Sequence, residues 1–335
     1  MLRSMTLART LSLQDLARRA VALLLAVSPV AATADVSLAG RIELPGTPGR
    51  LDHLAVDLEH GHLFVAALAA NAIEVLDVKA GRRITRLEGR REPQGLAFLP
   101  PMQRLMVANG EGGNLEAFNT ERHVGAVGAL PDADNLRLDA GSGRLYVGYG
   151  SGLAAVNPST LQVTERITLP GHPEAFELSQ RGPEIYVNVP TIGAIVVVDR
   201  RTGKETARWS IAPATRNFPM ALDEASHRLF VATRAPSGLQ VFDTLSGVRV
   251  AQLPLCGDAD DLFLDAGRQR LYAVCGDGHL AIVSSRHGDR YQAVQAIATA
   301  PGARTGLWVP AMNTLYVAMP ASQDTPAAVL VYRID

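Results

Sequence analysis

Leu63-Phe64-Val65, continuing through Asn71-Ala72-Ile73-Glu74-Val75-Leu76-Asp77-Val78-Lys79-Ala80-Gly81, decides the fold, because its opening phrase returns six more times. The copies are Leu105-Met106-Val107, Leu145-Tyr146-Val147, Ile185-Tyr186-Val187, Leu229-Phe230-Val231, Leu271-Tyr272-Ala273 and Leu315-Tyr316-Val317. Their leading residues lie 42, 40, 40, 44, 42 and 44 positions apart. Short runs of strand-forming residues at such even spacing, with no helical period, predict four-stranded sheets arranged radially. Seven copies predict an all-β, seven-bladed β-propeller of antiparallel blades.

Each copy carries its own punctuation. Asp57, Asp139, Asp223 and Asp265 stand six residues ahead of the leading aliphatic residue, where a carboxylate can accept the N–H groups of a tight turn. Gly61, Gly141, Gly143 and Gly267 are expected to supply the positive φ of these turns. A third strand follows, as in Ile195-Val196-Val197-Val198-Asp199. A fourth, more polar one comes next, as in Arg82 to Leu87 or Val248 to Leu253, and its polarity suits an outer edge. The last copy runs out after Val329-Leu330-Val331-Tyr332 with no fourth strand left, while Val36 to Leu44 is a spare strand ahead of the first copy. Pairing the two closes the last blade with an N-terminal strand. Ser210 to Arg216 reads as the longest connection without a strand.

Residues 1–34 read as a signal peptide: Arg18-Arg19, an apolar run from Ala20 to Val27, then the small-residue exit Ala32-Thr33-Ala34. The run is too short to span a bilayer, and no second candidate occurs. A single propeller domain is then expected over residues 35–335, secreted or periplasmic, with no transmembrane segment and as a monomer. Either general secretion or twin-arginine export could carry it. Removing Arg3, Arg9, Arg18, Arg19 and Asp15 with the leader shifts the formal net charge from −1 to −4. Without a basic excess or a dense basic run, the composition speaks against nucleic acid as a partner. Cys256 and Cys275 fall on one face of one blade, where an oxidising compartment would allow a disulfide; two buried thiols are the alternative.

The repeat from Leu63 to Gly81 resembles the YVTN, or YncE-like, family of bacterial periplasmic propellers, and the resemblance covers essentially the whole mature chain. It implies a binding or scaffold protein whose partner is a small molecule, a peptide or another protein. It does not imply a chemistry, since one fold hosts many activities.

A candidate site follows from the ring. The innermost strand of each blade starts at the channel mouth, so residues at these starts converge on one axis. They include His53, Gln94, Asn135, Glu174, Asn217, Asp260, Asp261 and Arg304. Polar types vary there while the hydrophobic phrase stays nearly constant, which is what a ligand site requires; a water-filled channel lined by solvated side chains is the alternative. Glu174, Asn217 and Asp261 could together offer oxygens to a hard divalent cation such as Ca²⁺. That arrangement looks like the site of gluconolactonase-type propellers, so a metal-dependent lactonase or related hydrolase is the alternative function. Those lactonases have six blades, and their ligands do not align here. Arg137, Arg234 and Arg304 could instead recognise an anion, or pair internally with acidic neighbours. A quinoprotein-like dehydrogenase would have only Trp209 and Trp308 for stacking, and covalent haem lacks its Cys-x-x-Cys-His. His60 and His62 form a His-x-His pair with no third ligand nearby. No catalytic nucleophile and base pattern is legible.

Overall fold

The computed structural model describes residues 36–119, 121–286 and 288–335, so the proposed leader, Asp35 and His287 lie outside the described residues. Twenty-eight strands form seven four-stranded antiparallel sheets in a ring. Blade one comprises Leu54–Asp57, His62–Ala67, Ala72–Asp77 and Arg82–Glu88, and blades two to six repeat this order. Blade seven has Gly306–Val309, Thr314–Met319 and Ala327–Ile334, completed by Val36–Leu44. This closing strand pairs antiparallel, Val36 opposite Ile334 and Leu44 opposite Ala327, as the leftover strand count predicts.

The recurring phrase is explained by packing on both faces of each blade. In a strand, alternate side chains point to opposite sides. Leu63 and Val65 therefore join Leu44, Val309 and Tyr316 of blade seven, whereas Phe64 packs on Leu96, Leu105, Val107 and Phe118 of blade two. Tyr316 and Leu315 divide in the same way between blades one and six. A middle strand is largely apolar because both its faces are buried, and a buried polar exception such as Glu74 is paired, here with Arg83 at 3.2 Å. The outermost strands alternate instead: in Gln162–Thr168 every second residue is exposed, as an edge facing water demands.

The turns follow the expected chemistry with one revision. Asp57 Oδ1 accepts the N–H groups of Glu59 at 3.0 Å and His60 at 3.4 Å, and Asp139 Oδ1 accepts that of Gly141 at 3.1 Å. Gly61 and Gly143 adopt positive φ, but Gly141 and Gly267 do not. In blades five and six the left-handed position falls on His227 and Gln269, immediately before the second strand. The segment from Ser210 to Arg216 also differs from expectation. Strand Lys204–Ser210 ends only four residues before Thr215–Asp223, because the inner hairpin of blade five extends to pair Thr215 with Ala235. Ile211 and Ala214 in the short connection are buried, and Ile211 belongs to the core between blades four and five.

Cys256 and Cys275 are joined in a disulfide with Cα atoms 5.9 Å apart. The bridge ties the loop before Ala259–Asp265 to the end of the second strand of blade six, Arg270–Cys275. Among the described residues, no helix is long and apolar enough to cross a membrane.

Candidate functional site at the channel mouth

The inner strands deliver their first residues to one end of the channel, and backbone bonds to the second strands fix them there. Ala66 N–H donates to the His53 carbonyl at 3.0 Å, Gly148 N–H to that of Asn135 at 2.9 Å, and Glu174 N–H to that of Asn188 at 3.0 Å. Gly95 is needed where blades two and three meet: a Cβ there would lie 2.1 Å from the Asp134 carbonyl oxygen.

These positions enclose a cavity of about 210 Å³ to which all seven blades or the loops leading into them contribute. Six of the eight predicted residues line it: His53, Gln94, Asn135, Glu174, Asp260 and Arg304. Deeper along the axis lies a second chamber of about 300 Å³, less polar, walled by Leu96, Met220, Leu262, Phe263 and Trp308 among others. His53, Asn135 and Ala175 belong to both walls and mark the junction. Asp261 faces this inner chamber, where its Oδ2 accepts the Gly306 N–H at 2.8 Å. Asn217 reaches neither chamber. It is wholly buried, and its amide donates to Asn188 Oδ1 at 2.8 Å and to the Ala194 carbonyl at 2.9 Å.

Charges at the mouth are woven together. Arg50 lies 2.9 Å from Asp52 and 3.7 Å from Asp260. Arg234 pairs with Asp260 and with Asp258 at 3.1 Å, and its guanidinium stacks 3.7 Å above the centre of the Phe218 ring. Arg304 reaches Asp258 at 3.0 Å, while Arg137 pairs with Glu177 in the inner chamber at 3.5 Å. The three arginines considered for anion binding are thus all engaged internally. His53 sits among carboxylates, with Nδ1 3.5 Å from Asp261 and Nε2 3.8 Å from Asp52 and 4.0 Å from Asp134.

Burial and proximity shift these groups strongly. Burial alone would push His53 down, but attraction and hydrogen bonding to Asp261, then attraction to Asp52 and Asp134, outweigh it and hold the imidazole up at about 10. Asp52 is pushed up to about 7 by burial, against the pull of His53 and Arg50. Burial, reinforced by repulsion from Asp134 and Asp260, raises Glu174 to about 8. Asp134 is also raised, chiefly by burial.

Arg50, Asp52, Asp132, Asp134, His172 and Phe218 line the mouth beside the predicted set. Asp52, Asp134 and Phe218 stand at the strand starts themselves, beside His53, Asn135 and Asn217, while Arg50, Asp132 and His172 lie two or three residues ahead of a predicted member. Arg234, named with Arg137 and Arg304 as a candidate for an anion, reaches the mouth from the end of the second strand of blade five.

The oxygens expected to hold Ca²⁺ are not assembled. Glu174 faces the mouth, Asp261 the inner chamber, and the Asn217 amide turns into blade four. Among the described residues no group of three or more His, Cys, Asp or Glu side chains is arranged to hold a metal ion. His60 and His62 have ring centres 5.8 Å apart, and His60 Nδ1 bonds Asp57 at 2.6 Å.

No protein-family model matches the chain, and no curated protein sequence matches it. Among solved structures it is similar to Kuenenia stuttgartiensis hydrazine synthase, with a TM-score of 0.74 and 15% identity over 87% of this chain and 99% of that one. It is similar also to a chain in the crystal structure of the mitotic checkpoint complex, with a TM-score of 0.75 and 13% identity over 99% of each. At such identities the likeness is one of fold, and it supports the seven-bladed propeller.

Proposed function

We propose that this chain is an exported, periplasmic binding or scaffold propeller of the YVTN, or YncE-like, kind, which takes a ligand at the mouth of its central channel. The observation that carries the reading is the polar cavity to which every blade contributes, holding buried side chains whose hydrogen-bonding capacity the protein leaves unfilled. Asn135 is only 5% exposed, yet its amide has no hydrogen-bond partner among the described residues. Its amide atoms open onto the cavity, where a ligand can take the place of water on them. Export is supported by the leader-like residues 1–34 and by the Cys256–Cys275 disulfide, which suits an oxidising compartment. A scaffold role draws some support from the neighbour found in the mitotic checkpoint complex, although that likeness extends only to fold.

The test is a thermal-shift screen of the purified protein against small cations, anions and neutral polar molecules, run beside a Glu174→Trp variant that fills the cavity. At least one compound should raise the melting temperature of the wild type and not that of the variant. Equal responses of both proteins to every compound would place the ligand elsewhere.

A further inference from the structure

Carboxylates outnumber cations at the mouth, and the cations are already engaged. Arg50 and Arg234 share Asp260, Arg304 holds Asp258, and His53 lies against Asp261, Asp52 and Asp134. His172 is 3.3 Å from Asp132. Glu174 is different: its carboxyl has no ion pair and no hydrogen bond among the described residues, although it lines the cavity. Asp134, 8% exposed, has among the described residues no side-chain hydrogen bond and one ion contact, the 4.0 Å approach of His53, with attraction from His172 and Arg50 besides. The unpartnered Asn135 amide adjoins Asp134 in the chain and lies between the two chambers.

We propose that the mouth receives the ammonium group of a small organic amine, held by the carboxylates of Asp134 and Glu174 and the amide oxygen of Asn135, with its apolar body in the inner chamber. The inference rests on the mouth being the ligand site. An ammonium has three N–H donors and accepts nothing, so three oxygens with unfilled capacity are its complement. A hard metal ion would want six to eight oxygens, which are not assembled here. An anion would have to compete with the carboxylates that already pair Arg50, Arg234 and Arg304. The inner chamber adjoins at Asn135 and offers Leu96, Met220, Phe263 and Trp308 to a hydrocarbon or aromatic body. Repulsion from Asp134 and Asp260 acts on Glu174, and a bound cation relieves it.

Isothermal titration at pH 8 of the purified protein with 2-phenylethylammonium, 3-phenylpropionate and 2-phenylethanol tests this. The ammonium should bind at least tenfold more tightly than either relative. Glu174→Gln and Asp134→Asn should each weaken it at least tenfold while circular dichroism and melting show both variants folded. Because Asp134 also faces His53, Glu174→Gln decides if Asp134→Asn fails to fold. Equal or tighter binding of the acid or alcohol, abolished by Glu174→Trp, would overturn the ammonium assignment and leave the mouth as the ligand site. Unchanged ammonium affinity in Glu174→Gln would overturn the acceptor set. No binding of any of the three would overturn the inference, and the wider screen against Glu174→Trp then judges the mouth independently.

Discussion

His53→Gln tests the electrostatic account of the mouth most directly, because the side chain keeps roughly the size and polarity of a neutral imidazole but cannot carry charge. In the folded chain the imidazole is held at about 10 against an ordinary value of 6.5, by Asp261 first and then Asp52 and Asp134. A group raised in this way contributes stability that is complete below pH 6.5 and is lost as the pH climbs through 10. At about 1.4 kcal/mol for each pH unit, the ceiling is about 5 kcal/mol, and removal of one partner from a buried ionic cluster costs about 3–5 kcal/mol. Near pH 6 the variant should therefore be less stable than the wild type by roughly 3–5 kcal/mol, or roughly 6–10 °C in melting temperature for a chain of this size. The gap should narrow between pH 6.5 and 10 and close above it. Asp52 and Glu174 titrate in both proteins; as raised acids they favour the fold at low pH and give that support up as the pH rises through about 7 and about 8. The Glu174 slope is common to the two curves, whereas Asp52 loses the pull of His53 in the variant and rises further, so the difference reports His53 together with its carboxylate partners. Denaturant unfolding at half-unit steps from pH 5.5 to 10.5 measures it. Parallel curves would refute the assignment of a charged imidazole held among these carboxylates.

Replacing both Cys256 and Cys275 by Ser should lower the unfolding free energy by about 3 kcal/mol, the chain-entropy value for a loop closed over 19 residues, read from the shift of a urea midpoint. An unmoved midpoint would mean that the loop ahead of blade six is held as firmly by its ion pairs alone. Adding millimolar Ca²⁺ or EDTA should leave the melting temperature within 1 °C or so, because the predicted metal ligands face different directions; a rise of several degrees with Ca²⁺ would show a site this geometry does not contain.

The blades were legible because one packing problem is solved seven times. Each middle strand must fill both of its neighbours, so Leu-Phe-Val and its variants return at every copy, and the missing fourth strand of the last copy pointed to Val36–Leu44. The mouth was legible by contrast with that constancy: packing does not call for a histidine at 53 or a glutamate at 174. Orientation was not legible, and strand irregularities are the reason. The register slips between Asn217 and Met220, and the Asn217 amide turns into blade four. The register slips also between Ala259 and Asp261, beside the two adjacent carboxylates of which Asp260 faces the mouth and Asp261 the inner chamber. An extra residue in one strand changes the face of everything beside it, and residue type alone carries no mark of where the extra residue sits.

That divergence has a consequence for how the ring and the site depend on each other. Because Asp260 and Asp261 diverge, the short segment from Asp258 to Asp261 meets cations from several sides: Arg234 of blade five, Arg304 ahead of blade seven, and Arg50 and His53 ahead of blade one. The disulfide anchors this segment two residues before Asp258. The same sector contains the seam where the chain ends join, and there Thr305 Oγ1 donates to the Asp52 carbonyl at 3.0 Å. Closure by Val36–Leu44 fixes the outer rim of blade seven, while the acidic segment of blade six braces its inner edge against blade one. The charges that shape the cavity are therefore also those that hold the ring at its seam. Glu174 and Asn135, on blades four and three, lie outside that bracing and have no side-chain hydrogen-bond partner among the described residues, which is why the proposed ligand is set against them.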